Sequence, residues 1–171
     1  MNMPTHLEQA KVYNADNNME LLGTASVTLP SIEKTKVTLE GFGLLGKVEK
    51  PAEGAVESTK LTLNMRGVTK ENLSLIEGVI NLDIRGAQSV YDTSLKKKKI
   101  QQVRVVVSGE TTTFDFGELQ QSNTFNVKTD IEVYNIEVFL EKKSIIELDK
   151  FNNVYKVNGT DMMKDIMDAI G

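Results

Sequence analysis

The sequence predicts a mainly β protein, a β-sandwich or partly open barrel of antiparallel strands. Between residues 20 and 140, apolar and polar residues alternate with a period of two in segments rich in Val, Ile, Thr, Phe and Tyr. Each such strand has one apolar face and one polar, solvent-exposed face, which is typical of antiparallel sheets. Only two short stretches have helical spacing. With 171 residues, 40% of them hydrophobic, we expect a single domain, 1–171.

The first elements are strands, and the alternation is clearest in the segment 58–66. There Leu61, Leu63 and Met65 share one face of the strand, while the intervening polar residues share the other. We therefore expect the apolar face to be buried and the polar face to be exposed. Strands are predicted at residues 24–29, 33–40, 58–66, 79–86, 100–107, 111–117, 124–140 and 144–149.

The segment 41–56 interrupts the strand pattern with four glycines and Pro51. We expect a long irregular loop between two strands, and loops of this length are uncommon unless they are functional or mobile. Gly41, Gly43 and Gly46 also match the G-x-G-x-x-G dinucleotide fingerprint. Pro51 and Gly54 leave too little room for the crossover helix that such a site requires, so we expect no cofactor.

Two short helices complete the pattern. Thr69 can cap a helix over 70–77, which Gly78 ends with a left-handed residue. A C-terminal helix is expected over 160–170, after an Asn-Gly turn. It would dock on its own domain or on a neighbouring subunit, because about eleven residues are too few for a stable isolated helix. Its apolar stripe consists of Met162, Met163, Ile166, Met167 and Ile170.

The composition argues against catalysis. The chain has no Cys and a single His, His6, which leaves no thiolate chemistry and little acid–base or metal chemistry at neutral pH. We therefore expect no enzyme, no catalytic residues and no metal. The only dense positive run, Lys96–Lys99, would suit a contact with a phosphate or with an acidic protein partner, but a solvated loop is the favoured expectation.

Charge and hydropathy limit the possible partners. Lys and Arg number 20 against 24 Asp and Glu, a formal charge of -4, which is unlike the basic surface of proteins that grip nucleic acid. A mildly acidic surface is compatible with nucleic acid passing without being held. No segment is apolar enough for a membrane span and the start has no signal-peptide pattern, so we expect no membrane anchor.

The two ends of the chain carry a family pattern. Residues 146–161 combine apolar-Glu-apolar-Asp at 146–149, Asn153, and Lys-Val-Asn-Gly-x-Asp at 156–161. Together with the Met-Pro-x-x-Leu start at 3–7 and Ser-Val-Thr-Leu-Pro at 26–30, they resemble the major tail tube protein of contractile-tailed bacteriophages. Phage-tail-like bacteriocins have related tubes. The glycine-containing loop that follows the first long strand in that family is matched by Gly43 and Gly46. Its Gly-x-x-x-x-x-Asp-x-Gly hairpin is matched by Gly109, Asp115 and Gly117. Residues 85–125 match the family pattern only loosely.

The resemblance implies a hexameric ring with a continuous inner β-barrel, and rings stacked into a hollow tube. The implied partners are further copies of the chain, the tail sheath protein, the baseplate and tail terminator proteins, and a tape measure protein. DNA would pass through the lumen without specific binding. The location would be the virion or a bacteriocin particle, assembled in the host cytoplasm.

The implied ring sets the expected site. Four strands from each of six subunits give about 24 strands, which at ~4.8 Å spacing and ~45° tilt form a barrel ~52 Å across, or about 40 Å inside the side chains. The wet strand faces would line this lumen: Lys34, Lys36, Thr38, Glu40, Ser58, Lys60, Thr62, Thr113, Asp115, Lys128, Asp130 and Glu132. A loop contact between rings is expected from Phe42, Leu44 and Leu45.

Other functions are compatible with part of the pattern. A tube of a bacteriocin or of a type VI secretion system would assemble from rings in the same way, but no genome would pass through it. A monomeric β-sandwich that binds a glycan or a protein is a further alternative. Such modules usually display exposed Trp or Tyr, and this chain has no Trp and only 6% aromatic residues.

Overall fold

The fold was analysed in a computed structural model, which describes residues 1–16 and 20–171. The strands in this part of the chain are β1 (Asn2–Asn14), β2 (Glu20–Leu21), β3 (Thr24–Thr28), β4 (Lys34–Leu39), β5 (Val48–Val56), β6 (Lys60–Arg66), β7 (Val79–Asp92), β8 (Lys97–Asp115), β9 (Asn126–Leu140), β10 (Lys143–Asp149), β11 (Val154–Val157) and β12 (Thr160–Asp161). The helices are α1 (Lys70–Leu73) and α2 (Lys164–Ile170). The predicted mainly β class with two short helices is confirmed.

Two long strands, β8 and β9, each take part in two layers of antiparallel strands. The "large sheet" has the order β12-β11-β10-β9-β8-β7-β1-β2. The "four-strand sheet" has the order β3-β6-β9-β8 and uses residues 126–132 of β9 and 110–115 of β8. The two layers do not close into a barrel within the described residues.

The core lies between these two layers. Leu61, Leu63 and Met65 of β6 are fully buried, as the alternation in this segment predicts. They belong to one apolar cluster with residues of the large sheet such as Leu82 and Val107. Each fully buried side chain of this kind contributes roughly 1.5–3 kcal/mol. The opposite faces of both layers are therefore the ones available for contacts with other molecules.

A glycine lies where β8 passes from one layer to the other. β8 shifts register against β9 between Ser108 and Gly109, where a Cβ on Gly109 would overlap the carbonyl oxygen of Glu132. A bulge bends the strand, and only glycine has room at this one. This is why residues 97–115 form one strand, β8, and not the two strands predicted at 100–107 and 111–117. The expected loop at Lys96–Lys99 is also wrong, because residues 97–99 pair with β7.

The predicted loop at 41–56 is wrong for its second half. Residues 48–56 form β5, which pairs with β4 as a separate two-stranded hairpin. Pro51 is tolerated because β5 has no strand on its other edge in the described part of the chain. Residues 36–51 are exposed, so this hairpin projects away from the body of the molecule.

Both helices are shorter than predicted. The Thr69 hydroxyl accepts a hydrogen bond from the Asn72 backbone amide at 3.1 Å, which confirms the cap, but α1 ends at Leu73 instead of residue 77. The C-terminal helix begins at Lys164 instead of residue 160, because residues 160–161 pair with β11 as β12. No helix among the described residues is long and apolar enough to cross a membrane.

Strands β1 and β11 were not expected from the sequence. Residues 2–11 of β1 are exposed on both faces, so they lack the period-two pattern of a half-buried strand. Their pairing with residues 85–92 of β7 is what makes them a strand. Strand β11 pairs with β10 within the segment whose sequence resembles the tail tube family.

Candidate assembly interface

The outward face of the four-strand sheet is polar across all four strands. Residues that pair directly in antiparallel strands lie on the same face of the sheet, so the register defines this surface. We call it the polar face. Its members are Ser26, Thr28, Lys60, Thr62, Asn64, Arg66, Glu110, Thr113, Asp115, Asn126, Lys128, Asp130 and Glu132.

Side-chain hydrogen bonds tie neighbouring strands together on the polar face. The Thr62 hydroxyl donates to the Asp130 carboxylate at 2.8 Å. The Asn64 amide donates to the Ser26 hydroxyl at 3.0 Å. The Ser58 hydroxyl, just before β6, donates to the Glu132 carboxylate at 2.8 Å. These bonds fix the positions of the polar groups on a rigid sheet.

Opposite charges face each other on this surface. Lys60 pairs across the strands with Glu132, and Lys128 pairs with Asp115. Cross-strand pairs of opposite charge are favourable, whereas Glu132 also lies opposite Glu110, a pair of like charges. The mixture of both signs still prevents a field of one sign. A polyanion moving over this face would meet cations and carboxylates in turn, with no continuous basic patch to hold it.

The structure brings together eight of the twelve residues predicted to share a channel-facing surface: Ser58, Lys60, Thr62, Thr113, Asp115, Lys128, Asp130 and Glu132. The other four, Lys34, Lys36, Thr38 and Glu40, lie on or next to β4 of the projecting hairpin. Whether any of them faces a lumen stays a prediction. The sequence analysis missed Ser26, Thr28, Asn64, Arg66 and Asn126, although continuing the period of two along the predicted strands would have found them. It also missed Glu110, which lies between two predicted strands.

The four-strand sheet ends in two open edges. In the described part of the chain, β3 has β6 on one side and no strand on the other. The last residues of β8, 112–115, pair with β9 alone. Each edge presents unpaired backbone amides and carbonyls, which is a template for pairing with another chain.

The β4–β5 hairpin carries the three residues predicted to contact an adjacent ring. Phe42 and Leu45 at its tip are 112% and 107% exposed, so neither side chain contacts the rest of the chain, and Leu44 is 47% exposed. At the base, Lys34 forms an ion pair with Glu53 at 2.9 Å, and the Glu57 amide donates to the Glu33 carbonyl at 2.7 Å. The hairpin is thus anchored at its base and free at its tip.

A charge cluster lies on the outward face of the large sheet, away from the polar face. The Asp83 carboxylate, whose side chain is 2% exposed, accepts hydrogen bonds from Arg85 at 2.9 Å and from Arg104 at 2.8 and 3.0 Å. Burial raises the pKa of Asp83, but the bonds from Arg104 and Arg85 outweigh it, and the pKa lies below its usual value. The sequence analysis missed this cluster.

Aromatic rings flank the same cluster. The Arg85 guanidinium lies 5.1 Å from the centre of the Tyr13 ring, and that of Arg104 lies 5.6 Å from the Phe139 ring. Such cation–π contacts add roughly 0.5–1 kcal/mol at exposed sites. Among the described residues, no group of three or more His, Asp or Glu is placed to hold a metal ion.

Comparisons with known proteins agree with this architecture. The family model of phage tail tube protein FII matches residues 4–171. A solved extracellular contractile injection system, the PVC sheath/tube terminator in the extended state, is similar over 80% of this chain and 96% of its own, with 13% identity and a TM-score of 0.55. The PVC sheath–tube complex is similar over 80% and 91%, with 15% identity and the same TM-score. These likenesses show the fold. No curated protein matches the sequence.

Proposed function

Because the chain belongs to the phage tail tube protein FII family and is a tube subunit, we propose that six copies close into a ring and that rings stack into the hollow inner tube of a contractile injection apparatus. The observation that carries this proposal is the four-strand sheet, with its polar face and its two open edges. The tube either lets DNA pass or punctures the envelope of a target cell.

Ring closure follows from the two edges. An open edge with unpaired backbone groups is an aggregation hazard in a monomer, and only a closed barrel removes it. Edge β3 of one subunit joins residues 112–115 of the next, and six subunits close the circle. The four strands in this sheet are the number required for a barrel of about 24 strands, with a lumen of about 40 Å.

The polar face is the surface proposed to line the lumen. The apolar side of the same strands is buried in the core, so the polar side is the one left to meet water in the channel. Formal charge is -4 per subunit, hence -24 per six-membered ring, which opposes retention of DNA. DNA and a tape measure protein therefore occupy the lumen without specific binding.

The outward face of the large sheet is proposed to meet the sheath. In a sandwich whose one layer faces the lumen, the other layer faces outward, and it carries the Asp83, Arg85 and Arg104 cluster. The similar solved structures come from a sheath–tube complex and a sheath/tube terminator, which supports a sheath and a terminator as partners here. A baseplate would start the tube. We propose no catalytic role, and assembly in the host cytoplasm before release in the particle.

Assembly tests the proposal. Purified protein is examined by sedimentation velocity over a wide range of concentrations and by negative-stain microscopy, with and without baseplate as a nucleus. We expect rings or tubes with six-fold symmetry at high concentration or on nucleation. A sharp monomer boundary at every concentration, with no tubes in the micrographs, contradicts the proposal and favours a monomeric binding module.

A further inference from the structure

We propose that residues 68–76, which contain helix α1, dock into an apolar groove of the neighbouring subunit in the same ring. We call these residues the α1 segment. The inference rests on the proposed closure of six copies into a ring, and it adds a side-chain contact to the pairing of strand edges. It starts from two features on the core side of the four-strand sheet: a groove lies behind one open edge, and the α1 segment lies behind the other.

The groove lies behind the β3 edge, between β3 and the strands β1 and β7 of the large sheet. Its volume is about 500 Å³, which is the size of pockets that hold small ligands and is enough for several side chains. Leu7 and Leu29 are 59% and 49% exposed there. The groove is therefore open to solvent in the isolated subunit. Most of its lining residues are aliphatic, among them Leu7, Val27, Leu29 and Ile84.

One wall of the groove is the free edge of β1. In the described part of the chain, residues 2–11 of β1 pair with β7 on one side and with no strand on the other. The register of β1 against β7 shifts twice, on either side of the residues His6 and Leu7. Bulges of this kind twist an edge away from regular pairing with a further strand. The groove is thus better suited to receive side chains than another strand.

The charges at the groove do not oppose apolar docking. Among the described residues that line it, Glu8 is the one with a charge. The Glu8 carboxylate forms an ion pair with Lys98 at 2.6 Å and lies 3.0 Å from the His6 ring. Because this charge is already paired within the subunit, the occupant of the groove need not carry a cation.

The α1 segment lies behind the other open edge, residues 112–115 of β8. At its start, the Gly67 amide donates to the Phe125 carbonyl at 2.6 Å. At its end, the Thr111 hydroxyl donates to the Leu75 carbonyl at 2.9 Å. Leu75 is fully buried and belongs to the core cluster. The segment therefore closes the core beside the last residues of β8.

The same segment leaves three apolar side chains exposed. Val68 is 42% exposed, and Leu73 and Ile76 are each 38% exposed. The Thr69 cap and the buried Leu75 hold the backbone between them in place before assembly. Docking a surface that is already ordered avoids the entropy cost of fixing a loop.

Pairing of the two edges brings these features together. Each neighbouring pair of strands from β3 to β8 is antiparallel, so β3 of one subunit also runs antiparallel to residues 112–115 of the next. On the core side of this joint, the groove of the first subunit then meets the α1 segment of the second. Contact between different surfaces of successive copies is a heterologous interface, which closes when the rotation completes a ring.

The C-terminal helix α2 is the other apolar element that could enter the groove. A Cβ on Gly54 of β5 would lie 3.5 Å from the Ile166 side chain of α2, so this helix packs on the base of the hairpin in its own subunit. Met163, just before α2, is 9% exposed. Because α2 already has a place within the subunit, we assign the groove to the α1 segment.

Cross-linking in assembled tubes tests the inference, and the absence of native cysteine makes the background clean. The double variant Leu29→Cys/Leu73→Cys is assembled and treated with a flexible bis-maleimide. On a denaturing gel we expect a ladder from dimer to hexamer and no higher, because each subunit links to the next around one ring.

The matched control is Leu29→Cys/Leu95→Cys. Leu95 is 69% exposed beyond the end of β7, whereas the α1 segment lies before its start. The 14 residues of β7 separate the two sites by about 45 Å. The control should therefore give no ladder.

Normal tubes of the Leu29→Cys/Leu73→Cys variant without a ladder overturn the inference and leave the proposed function intact. A ladder that continues past the hexamer also overturns it, because the contact would then join different rings. Failure of the unmodified chain to form rings or tubes contradicts the proposed function itself.

A second measurement applies if the cysteine pair prevents assembly. Benzoylphenylalanine at Leu73 is mixed as a minor component with the unmodified chain and irradiated in tubes. Adducts mapped by mass spectrometry to the groove, at residues 7–12 or 26–29, support the inference. Adducts confined to other segments contradict it.

Discussion

Arg104 holds the buried carboxylate of Asp83 with two hydrogen bonds, from Nε at 3.0 Å and from Nη2 at 2.8 Å. Arg85 adds a third bond at 2.9 Å. The three residues lie on neighbouring strands of the large sheet, where Arg85 pairs directly with Arg104. A carboxylate this buried is tolerated only because both guanidinium groups satisfy it.

The first prediction concerns this cluster. The double variant Arg85→Met/Arg104→Met leaves the Asp83 carboxylate buried without a cation. We expect it to lower the free energy of unfolding by about 2–4 kcal/mol. The loss is smaller than for a fully buried ion pair because the two arginine side chains are 43% and 40% exposed. Adding Asp83→Asn should recover half or more of the loss. Urea unfolding at pH 7 measures both. Equal stability of the double and triple variants would show that the carboxylate needs no partner.

The second prediction is the pH dependence of the same group. Because the pKa of Asp83 is lower in the folded chain than in the unfolded chain, its contribution is present above about pH 4, the unfolded value, and is lost as the pH falls through the folded value. The difference in unfolding free energy between the wild type and Asp83→Asn should therefore shrink below about pH 4. Urea titrations from pH 7 to pH 2 measure it. A difference that stays constant over this range contradicts the assignment.

The third prediction concerns the bulge in β8. In Gly109→Ala, the new Cβ overlaps the carbonyl oxygen of Glu132, so the backbone must shift, and we expect a loss of about 2 kcal/mol or more. The matched control is Gly23→Ala, where a Cβ meets no atom within 4 Å, and its effect should stay within about 0.5 kcal/mol. Thermal and urea unfolding compare the two. Equal effects would mean that the bulge does not require glycine.

The fourth prediction separates folding from assembly at the hairpin tip. Because Phe42 and Leu45 touch nothing else in the subunit, Phe42→Ser/Leu45→Ser should change the unfolding free energy by no more than about 0.5 kcal/mol. The concentration needed for tube formation should nevertheless rise several-fold. Leu95→Ser, another exposed apolar site, serves as the control and should assemble normally. Tubes of normal length at the normal concentration would remove the tip from the stacking contact.

The half-buried strands could be predicted from the sequence because burial imposes the period of two. Leu61, Leu63 and Met65 were assigned to the core on that ground and are fully buried. The resemblance to the tail tube family, drawn from residues 146–161 and the start of the chain, is confirmed by the family match.

Strand β5 and the first half of β1 could not be predicted, because both are exposed on two faces and no burial pattern marks them. Pro51 also argued against a strand, because proline has no backbone amide to donate to a neighbouring strand. Strand β5 tolerates it because β4 is its one partner strand in the described part of the chain. The Asp83 cluster depends on the register of β7 against β8, which joins residues 21 apart in sequence. The period of two does not determine that register.

The account depends most on the claim that the polar face lines the lumen of the tube. Cysteines are introduced singly at Lys60 and Asp130, on this face, and at Gln102, an exposed residue of β8 on the outward side of the large sheet. A maleimide attached to a polymer too bulky to enter the tube is applied to free subunits and to intact tubes. We expect all three sites to label in subunits and only Gln102→Cys to label in tubes. Labelling of Lys60→Cys and Asp130→Cys in intact tubes at the rate seen in subunits would contradict the claim.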